Sequence, residues 1–290
     1  MRKVLPIIVL AVLLGLVARF LSMGPAPRVP GMQGDQLRVH FLNVGQGDCI
    51  LLQTPDRRNV LVDAGGEDSA DDVVGYLIQS GVDRIDLLVI THPHEDHVGG
   101  LPRVLEEFGV SQILDAGYPH GSPAYREALS SIEARRIDYR LAADWRTLYI
   151  SKQVGFEVLW PPEDYSPSEE GLNDGSIVLR VRYGGVSLLL AGDIEAEAEA
   201  RLLAAHLDLK STVLKVAHHG SADGTSNEFL QLVQPEYAVV SVGIDNPYGH
   251  PAGAVLRRLR AVGAEVYRTD RHGTVVFLTD GEKVEVKSER

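Results

Sequence analysis

Four apolar runs in this chain each stop at an acid or a histidine, and that pattern constrains the fold more than any other feature of the sequence. Val60-Leu61-Val62 leads into Asp63, 87–90 into Thr91-His92, 188–191 into Gly192-Asp193, and 213–217 into His218-His219. Strands that are apolar throughout, rather than alternating, lie inside a sheet covered on both faces. Helices must supply the cover. If the strands share a sheet, the polar residues at their ends gather where loops make sites.

The periodicity fills in the rest. Strands are predicted over 37–44, 49–54 and 59–62, followed by a helix over 71–80 that stops at Gly81. A strand over 87–90, a helix over 101–108, a strand over 111–115 and a helix over 123–135 follow. Strands over 156–160, 176–183 and 186–191 come next, the last two turning at Gly184-Gly185. An Ala-, Glu- and Leu-rich helix over 194–206 precedes strands over 212–216, 237–242, 265–268 and 274–279, with a helix over 252–261 among them. The composition, 44% hydrophobic and 23% charged, excludes a disordered or collagenous chain. The single cysteine, Cys49, excludes a disulfide framework and a Cys-rich zinc site.

The first 23 residues read differently. Arg2 and Lys3 precede 15 uncharged residues, Val4 to Ala18, before Arg19 interrupts. This is expected to be a membrane anchor or a signal segment (1–23), joined by a Pro/Gly linker (24–36) to a catalytic domain over 37–290. The expected location is membrane-anchored with the domain extracytoplasmic, or secreted if the segment is cleaved. The chain carries 28 basic and 40 acidic side chains, net −12; four basic and no acidic ones precede Asp35, so the remainder stands at −16. That acidity argues against broad electrostatic wrapping of nucleic acid.

Six of the ten histidines fall in three short motifs. In His92-x-His94-x-Asp96-His97, side chains two apart in extended chain face the same way, so His92 and His94 can serve one cation. Asp96 and His97 follow a bend and can face a second. Asp193 is placed to bridge the two, and His218 to close the second site. Imidazole with carboxylate suits zinc, manganese or iron. Asp63 reads as a residue that orients the loop. Gly45-Gln46-Gly47-Asp48 reads equally as a turn or as a close approach to the site, with Asp48 a structural neighbour of it. Lys215, a lone charge in an apolar strand, is read as a phosphate contact. Glu195, Glu197 and Glu199 read as an exposed first helical turn, and His40, His120, His206 and His272 as background.

These motifs resemble the metallo-β-lactamase superfamily. More closely, they are similar to the metallohydrolase domain of ComEC-type competence proteins, which take up DNA. The matching pieces are 41–48 (PheLeuAsnValGlyGlnGlyAsp), 61–65, 173–176 (AsnAspGlySer), 188–194, 215–221 (LysValAlaHisHisGlySer) and 248–251 (TyrGlyHisPro). The resemblance implies an α/β fold, a four-layer αβ/βα sandwich, here preceded by one N-terminal hydrophobic helix. It implies two divalent metal ions, Zn or Mn, and a catalytic role for Asp96 and Asp193. The superfamily's third histidine for the first metal is missing, and Asn173 occupies its place. The expected reaction is hydrolysis of a phosphodiester, with single-stranded DNA as substrate. Lys215, Ser176, Ser221 and His219 would grip the substrate, and His250 would protonate the leaving oxygen or bind substrate. The alternatives are an extracytoplasmic hydrolase of a lactone, thioester, β-lactam or choline-phosphate ester, and a non-catalytic binding module.

Overall fold

The computed structural model describes residues 35–144, 146–168 and 171–290. The anchor or signal segment expected over 1–23, its hydrophobic helix, and all but the last two residues of the expected linker lie outside the described residues. Among the described residues, no helix is long and apolar enough to cross a membrane.

The first part of the chain forms β1 (Leu37–Phe41), β2 (Ile50–Gln53), β3 (Asn59–Val62), β4 (Arg84–Ile85), β5 (Leu87–Ile90), β6 (Gly109–Val110), β7 (Gln112–Asp115) and β8 (Asp138–Leu141). Then come β9 (Thr147–Leu148), β10 (Gly155–Trp160), β11 (Val178–Tyr183), β12 (Val186–Leu190), β13 (Val213–Lys215), β14 (Tyr237–Val240) and β15 (Glu265–Arg268). β16 (Val275–Thr279) and β17 (Val284–Ser288) return to the first sheet. That sheet has eight strands in the order β17-β16-β1-β2-β3-β5-β7-β8; the second has seven, β15-β14-β13-β12-β11-β10-β9. The short strands β4 and β6 pair by themselves.

The two sheets pack face to face. Leu37, Val39, Phe41 and Val89 of the first share one core with Phe156, Leu188, Val213 and Val239 of the second. The residues between them along the first-sheet strands, such as Leu51, Leu61 and Leu88, point the other way and are equally buried. Helices α1 (Ala70–Gln79), α2 (Glu95–Val98), α3 (Leu101–Glu107) and α4 (Pro123–Arg135) belong to this half and bury Leu77, Leu101, Val104, Leu105 and Ile132. On the outer face of the second sheet, α5 (Ala196–Ala204), α6 (Asn227–Val233) and α7 (Gly253–Ala261) contribute Leu202, Phe229 and Leu259 to a second core. The layers are helix, sheet, sheet, helix.

Each sheet is part antiparallel and part parallel. β3, β5, β7 and β8 run parallel, as do β12, β13, β14 and β15. Open parallel sheets bind ligands outside the carboxyl ends of their strands. The four acid- and histidine-terminated runs are β3, β5, β12 and β13, all in these parallel halves.

The edges depart from the expectation of wholly apolar strands. β8 is exposed along its length and β17 is half-buried and charged, so neither carries an apolar signal. Helix α6 was also missed: it has seven residues and starts at a Ser226 cap that accepts the Phe229 N–H at 3.1 Å.

Candidate metal centre

Asp63 follows β3 with φ +56, a left-handed turn that costs a non-glycine residue about 1–3 kcal/mol. The turn points its buried carboxylate at β5. It accepts the Thr91 N–H at 2.8 Å and the Thr91 hydroxyl at 2.6 Å, and lies 2.7 Å from His97 Nδ1. An ionised Asp63 accepts at that position, so His97 carries its proton on Nδ1 and turns Nε2 inward. Burial raises the Asp63 pKa, and the neighbouring His97 charge opposes that rise.

His97 Nε2 sits 3.2 Å from Asp193 Oδ2. On the other side, His219 Nδ1 lies 2.9 Å from the Ser241 carbonyl, which can only accept. His219 therefore also turns Nε2 inward, 3.1 Å from Asp193 Oδ2 and 3.2 Å from an Asp96 oxygen. That nitrogen is buried and makes no aligned hydrogen bond. Asp96, His97, Asp193 and His219 thus form one tight cluster, in which two imidazole lone pairs confront two carboxylates. Such a set needs a cation, either protons or a metal. Without a metal, the protons stay. Burial lowers the affinity of both histidines for protons, but the carboxylates overcome it. Asp193 and Asp63 raise His97 well above its ordinary value, and Asp193 with Asp96 raises His219 to about 9. Asp193 itself is pulled well below the usual range by His219, His97 and Lys215, against the effect of burial. Imidazoles whose outer N–H is fixed by a carboxylate or carbonyl are the usual form of metal-ligating histidine. The donor set fits a divalent ion.

Beside this cluster, His92 Nε2 and His94 Nδ1 lie 3.1 Å apart, and the His92 and His97 rings are 4.1 Å apart. Burial first, and then the His97 charge, keeps His92 neutral. The HxHxDH run is thus brought together, with the bend formed by α2.

Several expected roles are placed elsewhere. His219, expected to touch substrate, is in the cluster. His218, expected to close the second site, stands 4.0 Å from Asp193 Oδ2 and 2.9 Å from Glu195 Oε1. His219 rather than His218 enters the cluster at a turn where residues 218 and 219 are both left-handed (φ +45 and +52). Lys215, expected at the phosphate, is fully buried beneath the cluster. Its ammonium pairs with Asp48, donates to the Gly192 carbonyl at 3.0 Å and lies 3.4 Å from Asp193 Oδ1. Ser176 Oγ is buried and accepts the Asp193 N–H at 3.0 Å, and Ser221 donates to Asp223 at 3.1 Å. Both are internal contacts. Asn173 donates to Glu195 Oε1 at 2.8 Å and has its Oδ1 buried without a partner. The His250 ring lies 5.7 Å from that of His218.

Other residues were missed. Glu195 and Glu199 turn inward rather than into solvent: Glu195 meets His218 and Asn173, and Glu199 accepts the Thr225 and Ser226 N–H groups ahead of α6. His120, read as background, lies 5.5 Å from the His94 ring. Its Nδ1 accepts the Ser122 N–H, so Nε2 holds the proton and is a donor. The Gly47 question is settled in favour of close approach. Gly47 has φ +135, a Cβ there would strike the Asp96 carbonyl, and Asp48 N donates to that carbonyl at 3.2 Å.

Comparison with known proteins agrees with this geometry. Residues 42–244 match the family model for the metallo-beta-lactamase superfamily. The chain is 34% identical over 94% of its length to competence protein ComA of Neisseria gonorrhoeae, and 30% identical over 82% to ComE operon protein 3 of Bacillus subtilis. It spans 38% and 32% of those relatives, about a third of their length. Among solved structures, the long form of RNase Z from yeast matches 88% of the chain and 43% of its own, with TM-score 0.52 and 12% identity, a likeness of fold. With the two-sheet sandwich and a His/Asp cluster at its parallel strand ends, the chain belongs to the metallo-beta-lactamase superfamily.

Proposed function

We propose that this protein is a metal-dependent phosphodiesterase that cleaves single-stranded DNA. The observation that carries the reading is the convergence of His97 Nε2 and His219 Nε2 on Asp193 Oδ2, each imidazole locked from behind. Asp96, His97, Asp193 and His219 would hold one divalent ion, zinc or manganese, with His92 and His94 beside it for a second. A divalent ion there supplies Lewis acidity and lowers the pKa of water. Asp63 and the Ser241 carbonyl fix the tautomers of two ligands. Lys215 holds the far oxygen of Asp193, leaving Oδ2 to the cluster. Burial, and then the charges of His218 and His219, hold the His250 pKa down. As a neutral donor His250 would hydrogen-bond a substrate oxygen. The naming of relatives as competence proteins supports DNA as the substrate and uptake as the setting. The uncharged segment from Val4 to Ala18 supports a membrane anchor, and Arg2 and Lys3 before it support a cytoplasmic start with the catalytic domain extracytoplasmic.

The test is metal analysis of the full chain with a substrate panel: single-stranded DNA, methyl p-nitrophenyl phosphate, a lactone, a thioester and a β-lactam. With Mn²⁺ or Zn²⁺ the two phosphodiesters are expected to be cut. Asp193→Ala should lower turnover by more than about a hundredfold and lose at least one ion per chain while retaining the circular dichroism of the wild type. Turnover of the carboxylic esters or lactam alone would reject the phosphodiester reading.

A further inference from the structure

The loop between β14 and α7 carries a large aromatic ring that the core does not use. Tyr248 is 67% exposed, and Ile244 on the same loop is 61% exposed. Single exposed apolar residues are normal, but this one has a particular position. Its ring lies parallel to that of His250, 5.7 Å away at 18°. His250 is 5.7 Å from His218, and His218 is 6.0 Å from His219, whose Nε2 is in the metal cluster. Four rings thus lead from the cluster to the surface, with Tyr248 outermost.

The backbone that presents the ring is pinned. Asn246 donates to the Gly243 carbonyl at 3.1 Å and to the His250 carbonyl at 2.8 Å, and accepts the His250 N–H at 3.0 Å. Gly243 N donates to Gln46 Oε1 at 3.3 Å, and Ala252 N to the Gly220 carbonyl at 2.8 Å. An exposed ring on a fixed backbone loses little freedom when something stacks on it.

We propose that Tyr248, backed by His250, is a stacking platform for a nucleobase flanking the phosphodiester bound at the metal cluster. The proposal rests on the phosphodiesterase reading above. It also addresses the difficulty posed by a net charge of −16 on the rest of the chain. Phosphate attraction is weak for so acidic a protein, whereas stacking on a π-face needs no cation and accepts any base.

The test is binding of a fluorescent, phosphorothioate-linked oligothymidylate to the metal-loaded full chain, read by anisotropy, alongside a fully abasic strand of the same length. Tyr248→Ala should weaken oligothymidylate binding about tenfold and leave abasic-strand binding unchanged. Tyr248→Phe should restore binding to within about twofold. The slope of affinity against salt should be the same for wild type and Tyr248→Ala, because stacking releases no counterions. Equal oligothymidylate affinity in wild type and Tyr248→Ala, an equal loss on the abasic strand, or no binding by the wild type would overturn the proposal. So would loss of phosphatidylglycerol-vesicle binding in Tyr248→Ala with oligonucleotide affinity intact, which would assign the ring to a lipid surface. Cleavage of methyl p-nitrophenyl phosphate by the wild type is scored separately: if that ester stays intact, the catalytic reading fails while the binding comparison still decides the platform.

Discussion

Asp193 shows how much one carboxylate is asked to hold. Its Oδ2 faces His97 and His219, its Oδ1 faces Lys215, and its N–H is fixed by Ser176. The sequence marked Asp193 as a bridging ligand because it follows an apolar run, and the structure places it in the His/Asp cluster. It could not show that Lys215 would point down rather than out. In β13, residues alternate between faces, and the face of Lys215 depends on a sheet partner that no local pattern names. His40 gives a separate test at this scale. It is buried, its Nδ1 lies 2.9 Å from the Tyr76 hydroxyl, and burial with the nearby Arg38 charge lowers its pKa to about 3. The unfolded chain, with an ordinary value near 6.5, takes up a proton first as pH falls. Stability present above about pH 6.5 is therefore lost below it, at about 1.4 kcal/mol per pH unit for this group. Urea unfolding at pH 7 and pH 5 should show a wild-type loss about 2 kcal/mol larger than that of His40→Gln. Equal losses would mean that His40 is not held neutral in the fold.

The site's elements are mostly turns, and their conformations explain which expectations held. The apolar strands and α4 were legible because a continuous apolar run or a helical period marks them; 59–62, 87–90 and 123–135 fall where the sequence put them. The turns were less so. Residues 217–220 form a tight turn with two left-handed histidines, and this decides which imidazole enters the cluster. A run of two histidines looks symmetric in sequence; their partners distinguish them, the Ser241 carbonyl and Asp193 for His219 and Glu195 for His218. The turn at Gly45–Asp48 is held against α2 from below. Gly47→Ala should push the Asp96 carbonyl away, because the new Cβ meets backbone and the residue must keep a positive φ. The expected result is a loss of about 1–3 kcal/mol in unfolding free energy and weaker binding of the metal by calorimetry. Wild-type affinity in a folded Gly47→Ala protein would mean that the contact does not position Asp96.

Across the whole molecule, the cluster joins two halves. His92, His94, Asp96 and His97 follow strands of the first sheet, whereas Asp193 and His219 follow strands of the second. A cation held there would tie the sheets together at one edge and neutralise the carboxylates that otherwise keep His97 and His219 protonated. Binding only to the folded chain, metal at a hundred times its Kd should add about 2.7 kcal/mol of stability. Chelation with EDTA should therefore lower Tm by several degrees. In Asp193→Ala the shift should largely vanish. An EDTA-independent wild-type Tm would remove the metal from the cluster.

By itself, the sequence determined the layered class of the fold and most of the residues that meet at its edge. Apolar runs must be buried, and the polar groups that end them have nowhere to go but the rim. Tertiary structure decided the rest: His219 rather than His218 in the cluster, Lys215 as a buried counter-ion, Ser176 as a clasp on Asp193, and Tyr248 left in solvent. Those outcomes depend on strand register and on single φ angles, which are fixed only when two distant sheets close on one another.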